Sequence, residues 1–223
     1  MERKLDSPAA NRLPAVVRAF SQSSRLQSRP YYRSGRLYGF ETTLDLGFYY
    51  MGVAMGCNDF ALFCRQLSFE EAPPSLKFRA VTAELDALEA EVLNAFEKAD
   101  LKSQSGFIPV NATLKLAGEL NKAKWFEGAT QKYLETWMLF AVLTMAQPDE
   151  ARIPEIKHEI ESARARLKAS AADQSIGLLY VEMAEGAMAQ FDEGKRVENL
   201  KRAAAIVEKV LPRYFEYLSE GDR

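Results

Sequence analysis

A chain of 223 residues that is 48% hydrophobic can bury a core without a disulfide or metal staple, as one large domain or two small ones. Its 29 basic and 31 acidic residues leave a net charge of -2, which excludes the strong overall field that draws nucleic acid or an anionic membrane. Two cysteines, Cys57 and Cys64, give neither a disulfide framework nor a C-x2-C metal spacing and read as reduced core thiols.

The charge is segregated along the chain. Residues 1–40 hold eight Arg or Lys against Glu2 and Asp6, a local balance of +6 that leaves -8 for the remainder. The opening residues lack the apolar stretch of a signal peptide, and no apolar run reaches the ~20 residues of a membrane span. A soluble, cytoplasmic protein is expected, unless a leader has been removed. Residues 1–35 read as a basic, partly irregular segment ahead of one all-helical domain over 36–223. Near the end of that segment Arg25, Arg29, Arg33 and Arg36 interleave with Tyr31, Tyr32 and Tyr38. Guanidinium groups among aromatic rings suit docking on the chain's own acidic helices, gripping an acidic protein or stacking on bases. Residues 41–100 carry eleven acids against four bases, which favours self-docking. For an external partner, an acidic protein or peptide ranks above nucleic acid, with Arg25, Arg29, Tyr31, Tyr32, Arg33 and Arg36 as the candidate contacts.

From Arg36 onward helical periodicity dominates, with no sustained apolar/polar alternation. "TTLDLGFYYMGVAMGC" is apolar nearly all the way round and reads as a helix buried on several sides, ending at "GCND". After "EEAPPS", Phe78, Val81, Leu85, Leu88, Val92 and Phe96 recur at helical steps, the prolines being tolerated only at or before a first turn. Residues 102–110 form the longest break and a weak seam. "YLETWMLFAVLTM" reads as a second buried helix. Ile153, Ile156, Ile160, Ala163 and Leu167 mark one helix face, and Val197, Leu200, Ala204, Val207, Leu211, Tyr214 and Leu218 mark another. Further breaks at "AQPDEARIP", "SAADQS" and "FDEGK" divide the chain into about eight or nine helices, and their short connections predict antiparallel neighbours.

One stretch carries a resemblance. In "NKAKWFEGATQKYLETW", Phe126, Ala129 and Tyr133 follow a turn, and Leu116, Ala117 and Leu120 precede it. This pattern resembles the tetratricopeptide family, whose roughly 34-residue helix-turn-helix unit alternates small residues with aromatics so that paired helices approach closely. Thr113, Thr136 and Ala141 depart from the pattern. A second unit is similar, with one extra turn, over Tyr180, Met183, Ala184, Ala187, Val197, Ala204, Val207 and Pro212. A third begins at Leu46, Gly47 and Tyr50 and turns at "NDF". The resemblance implies stacked antiparallel hairpins forming a right-handed array, with a peptide or helix held in a groove along the first helices, at exposed residues of 111–124 and 176–191. An irregular helical bundle is the alternative architecture.

Chemistry is sparse. His158 is the one histidine. Glu155 and His158 give a single E-x-x-H, where a di-metal bundle needs that motif from two helices, so His158 reads as a surface residue. Asp45, Glu135 and Glu182 lie within apolar helices and are expected to be buried beside a cationic partner. No phosphate loop, nucleophile elbow or dinucleotide fingerprint is present. The expectation is a non-catalytic interaction or scaffold module with no cofactor, whose partner is a protein or peptide. The rivals are a small enzyme or ligand-binding bundle using the buried carboxylates, and a nucleic-acid accessory protein using the N-terminal arginines.

Overall fold

The structure is a computed structural model that describes residues 13–39, 44–67, 77–100, 103–170, 172–189 and 196–221. The expected breaks at "EEAPPS" and "FDEGK" and the Tyr38 side chain lie outside the described residues. Among those described every element is helical and no strand occurs, as the periodicity predicts. The helices are α1 (Ala15–Gly39), α2 (Leu44–Gln66), α3 (Thr82–Lys98), α4 (Phe107–Lys122), α5 (Phe126–Thr144), α6 (Ile153–Lys168), α7 (Ser175–Ala189), α8 (Arg196–Ala205) and α9 (Leu211–Gly221). A π-helical turn, Ile206–Val210, fuses the last two into one rod, which makes eight helices packed as hairpins among the described residues. Pro212 accounts for the local widening: it has no N–H for the carbonyl four residues back, and Leu211 N–H bonds instead to Ile206, five residues back.

Helical structure begins at Ala15, well ahead of Arg36, so within the 1–35 segment residues 15–35 are helical, and residues 1–12 lie outside the described residues. The periodic signal is faint because the inward side of α1 is small or hydroxylated. Ala15, Ala19 and Leu26 enter the core, and Ser21, Ser23 and Ser28 are buried beside them. The first-turn N–H groups of α1, which its own turns leave unsatisfied, are capped from the start of α7: Ala15 N–H donates to Asp173 Oδ2 at 2.6 Å and Val16 N–H to Ser175 Oγ at 3.1 Å. The other oxygen of Asp173 accepts Ser175 N–H at 3.0 Å, so one carboxylate caps the starts of both α1 and α7.

The α1–α2 hairpin closes through small side chains at heptad spacing. Ser21, Ser28 and Gly35 are buried on α1, and Gly47, Ala54 and Ala61 on α2. Ser21 Oγ donates to the Ala61 carbonyl at 3.1 Å, and this antiparallel register sets Ser28 opposite Ala54 and Gly35 opposite Gly47. At Gly35 a β-carbon would stand 2.6 Å from Met51 Cγ, so only glycine allows this approach. Two expectations fail on α2. The helix runs unbroken through Gly56–Asp59, which removes the turn required by the third tetratricopeptide-like unit. Its only substantial packing among the described residues is against α1, so it is not buried on several sides, and Phe48, Tyr49, Met55 and Phe63 are more than half exposed.

The remaining hairpins carry the core. α3 starts at Thr82, later than its stripe suggests, and Phe78 lies in the non-helical stretch before it, stacked on Tyr217 with centroids 6.2 Å apart. Asn121 at the end of α4 accepts Val81 N–H and donates to Thr82 Oγ1, which fixes the entry to α3. Between α4 and α5, Lys124 adopts φ 60° and Trp125 N–H reaches back to Leu120 O at 3.0 Å. That bond pattern closes a helix end on a left-handed residue. Ala117, Leu120, Ala129, Tyr133, Trp137 and Phe140 are all buried, as the hairpin reading of this stretch expects, whereas Phe126 and Leu116 are only partly buried. One cluster runs from Ala15 through Phe107 and Val110 to Tyr217, across the 102–110 break. The stripes on α6 and the terminal rod face into it, except Val197, which is 56% exposed.

Asp173→Ala is expected to cost about 2 kcal/mol, because buried backbone donors on two helices lose a charged acceptor. Urea denaturation checks this, with a lower midpoint at unchanged slope as the expected result.

Candidate functional site

Beyond Leu26, α1 leaves the core and rises over α4. Between them opens a cleft of about 850 Å³, lined by α1 from Leu26 to Ser34, by Tyr50 of α2 and by α4 from Ala112 to Ala123. Its apolar floor includes Leu26, Pro30 and Leu116. Around that floor stand Arg29, Arg33, Lys115 and Lys122 against one acid, Glu119. The cleft therefore combines apolar surface with a local excess of three positive charges, in a protein whose total is -2.

This geometry follows from how α1 is fastened. Arg18 Nε meets Glu127 Oε1 at 3.0 Å, and Gln22 donates to Glu127 Oε2 at 3.0 Å while accepting Gly128 N–H at 2.8 Å. Glu127 sits in the first turn of α5, where a carboxylate also answers the helix dipole. A β-carbon on Gly128 would press on Gln22 Oε1 at 3.0 Å, so the glycine lets α1 come down onto α5. The first half of α1 is thus pinned to α5, and the second half, packed on α2, forms one wall of the cleft.

The six sequence candidates separate. Arg29, Tyr31 and Arg33 line the cleft. Arg25 is drawn into the protein's own packing, its guanidinium 5.5 Å from the Trp125 ring centroid, and Arg18 pairs with Glu127; these partners lie at the start of α5 and not in the acidic stretch 41–100 that the sequence favoured for self-docking. Tyr32 and Arg36 are exposed outside the cleft, and Tyr31 stacks on Tyr50 with centroids 6.3 Å apart. Of the two proposed groove segments, 111–124 contributes directly. The cleft draws no residue from α7, whose outer residues Glu185, Met188 and Ala189 meet α6 at a separate hollow of about 220 Å³. Sequence reasoning missed Lys115 and Lys122 as partners of the arginines, because only the tertiary arrangement brings α1 over α4.

With this geometry in view, comparison with known proteins is brief. The chain matches no family model, no curated protein and no solved structure at a significant level. The functional reading therefore rests on the residues themselves. Among the described residues no helix is long and apolar enough to cross a membrane.

The carboxylates expected to be buried are not. Asp45 and Glu182 are exposed on α2 and α7, because the apolar sequence around each does not surround that side of the helix. Glu135 is half-buried and takes partners from its own helix, Lys132 Nζ at 2.7 Å and Gln131 Nε2 at 3.0 Å. Cys64 is buried, with its thiol pushed up by burial, and Cys57 is partly buried.

The E-x-x-H stretch is a surface salt-bridge cluster. Arg152 holds Glu155 at 2.9 Å and Glu208 at 2.8 Å, and His158 is exposed. The same contact draws the Glu155 carboxyl below its ordinary range. Glu159, one turn on, has an oxygen buried without a hydrogen bond, and burial first, then Glu155 and Glu208, push its pKa up. A carboxyl whose pKa is higher folded than unfolded binds its proton more tightly in the folded state. Its ionised form therefore opposes folding at neutral pH, and the penalty fades as pH falls through the raised value. Glu159→Gln should raise the urea midpoint near pH 7 and change it little near pH 4, checked by unfolding both proteins at each pH.

Proposed function

We propose that the chain is a non-catalytic interaction or scaffold module that holds an acidic, amphipathic peptide or helix in the cleft between α1 and α4. The observation that carries this reading is the pairing of an apolar floor at Leu26 and Leu116 with Arg29, Arg33, Lys115 and Lys122 around it. The apolar strip supplies contact area that water does not compete for, and the cations select the sign of the ligand and speed encounter. Exposed ion pairs each contribute only about 0–1 kcal/mol, so affinity comes mainly from the floor and specificity from the rim. The tetratricopeptide-like part of the reading is supported at α4 and α5, where Ala117, Leu120, Ala129 and Tyr133 of the pattern are buried.

The reading is tested with a fluorescently labelled helical peptide bearing leucines on one face and glutamates on the other, titrated by fluorescence anisotropy. Binding should weaken as salt is added, and Arg33→Glu with Lys115→Glu should lower affinity at least about tenfold, or ~1.4 kcal/mol. Absence of binding at low salt, or an unchanged affinity in the double variant, would overturn it. So would a stronger, salt-sensitive affinity for single-stranded DNA.

A further inference from the structure

α2 turns its large side chains away from the protein. Its small residues face α1, while Leu46, Phe48, Tyr49, Met55, Phe60, Leu62 and Phe63 are 44–70% exposed. No charged residue occurs from Leu46 to Asn58. A soluble protein rarely leaves such a surface uncovered. Its relief is specific. At Gly52 and Gly56, one helical turn apart, an added β-carbon would meet nothing within 4 Å, so the two glycines form an open valley along the outer face. Phe48, Met55 and Leu62 recur at heptad spacing on one flank, and Tyr49 and Phe60 stand on the other.

We infer that this face is the contact surface for a second copy of the chain, with two α2 helices pairing antiparallel across the Gly52/Gly56 valley. Three observations favour a second copy over a foreign partner. The first is area: seven large side chains, each burying about 200 Å² when fully covered and roughly half exposed here, offer on the order of 800 Å², the contribution of one side of a standard interface. The second is charge. The face carries no charged residue from Leu46 to Asn58, so a second copy laid on that stretch meets no like charge. The third is self-complementarity. With Gly52 of one copy facing Gly56 of the other, the backbones can approach closely, and the two-fold sets like flank on like flank, so Phe48 of each copy meets Leu62 of its mate and Tyr49 meets Phe60.

Sedimentation velocity across a concentration series decides the matter. A mass of twice 25.1 kDa is expected at about 100 µM, because interfaces of this size hold at micromolar concentration or tighter. Gly52→Leu with Gly56→Leu fills the valley without touching the protomer and raises helix propensity. That variant should keep its circular dichroism and thermal transition while sedimenting at 25.1 kDa, with dimer affinity reduced at least about a hundredfold. Phe48→Lys with Met55→Lys should do the same by placing charge on the flank. Arg33→Glu with Lys115→Glu should leave the dimer intact, which separates this inference from the reading of the cleft. A monomer at every concentration, or a double-glycine variant that still dimerises, would overturn it. So would a monomer that binds phosphatidylcholine vesicles through α2 or carries a different protein there.

Discussion

The arrangement depends on how the first half of α1 is tied down. A helix starts with backbone N–H groups that its own turns cannot satisfy, and those of α1 are met by Asp173 and Ser175, which lie more than 150 residues away in sequence. One turn further, Arg18 and Gln22 clamp Glu127 at the start of α5. Hydrogen bonds to charged groups contribute about 1.5–3 kcal/mol each, so these few contacts outweigh the small apolar area that Ala15 and Ala19 can bury. They also fix where α1 stops belonging to the core. Past Leu26 no described residue of α1 joins the main cluster, and the helix continues as an arm with α2 along its outer side.

The arm is held together by proximity more than by bulk. Where helices meet through Ser, Gly and Ala, the backbones come close and dispersion contacts are dense, but little hydrophobic surface is removed from water. The sequence of α2 reflects this division: its small residues are spent on α1, and its Phe, Tyr, Leu and Met side chains have no place in that seam. The bare face and the tight hairpin are therefore two results of one residue pattern.

The same feature explains what could be read from the sequence. The α4–α5 hairpin, α6 and most of the terminal rod were legible because Leu, Ile, Val and aromatics recur at steps of three and four, and periodicity detects large apolar residues. α1 was not legible, since its buried stripe is made of Ala and Ser, and Pro30 within the helix argues against one. "GCND" looks like a break, yet Gly56, Asn58 and Asp59 lie on or beside the exposed side of a helix whose inner side is continuous. The carboxylates failed for a related reason: the apolar character of "LDLGFYY" and of the stretch around Glu182 did not decide which side of the helix the charge would occupy. Within the cleft, the arginines and tyrosine of α1 were legible as a binding composition. Their meeting with Lys115 and Lys122 was not, because it depends on the fold.

The cleft opens on the α4 side of α1, and the bare face lies on the side of α2 turned away from α1. Pairing through α2 would therefore leave both clefts accessible, one on each copy, and give a bivalent molecule. Bivalency changes what a shallow, cation-rimmed cleft can achieve. A single acidic segment bound through a few exposed ion pairs and a narrow apolar strip exchanges rapidly, whereas two such segments on one ligand assembly rebind at the effective concentration set by the rigid spacing of the arms. A stiff arm serves this better than a flexible linker, because the separation of the two sites is then fixed by helix packing. On that argument the small-residue seam between α1 and α2 sets both the depth of each cleft and the distance between the two.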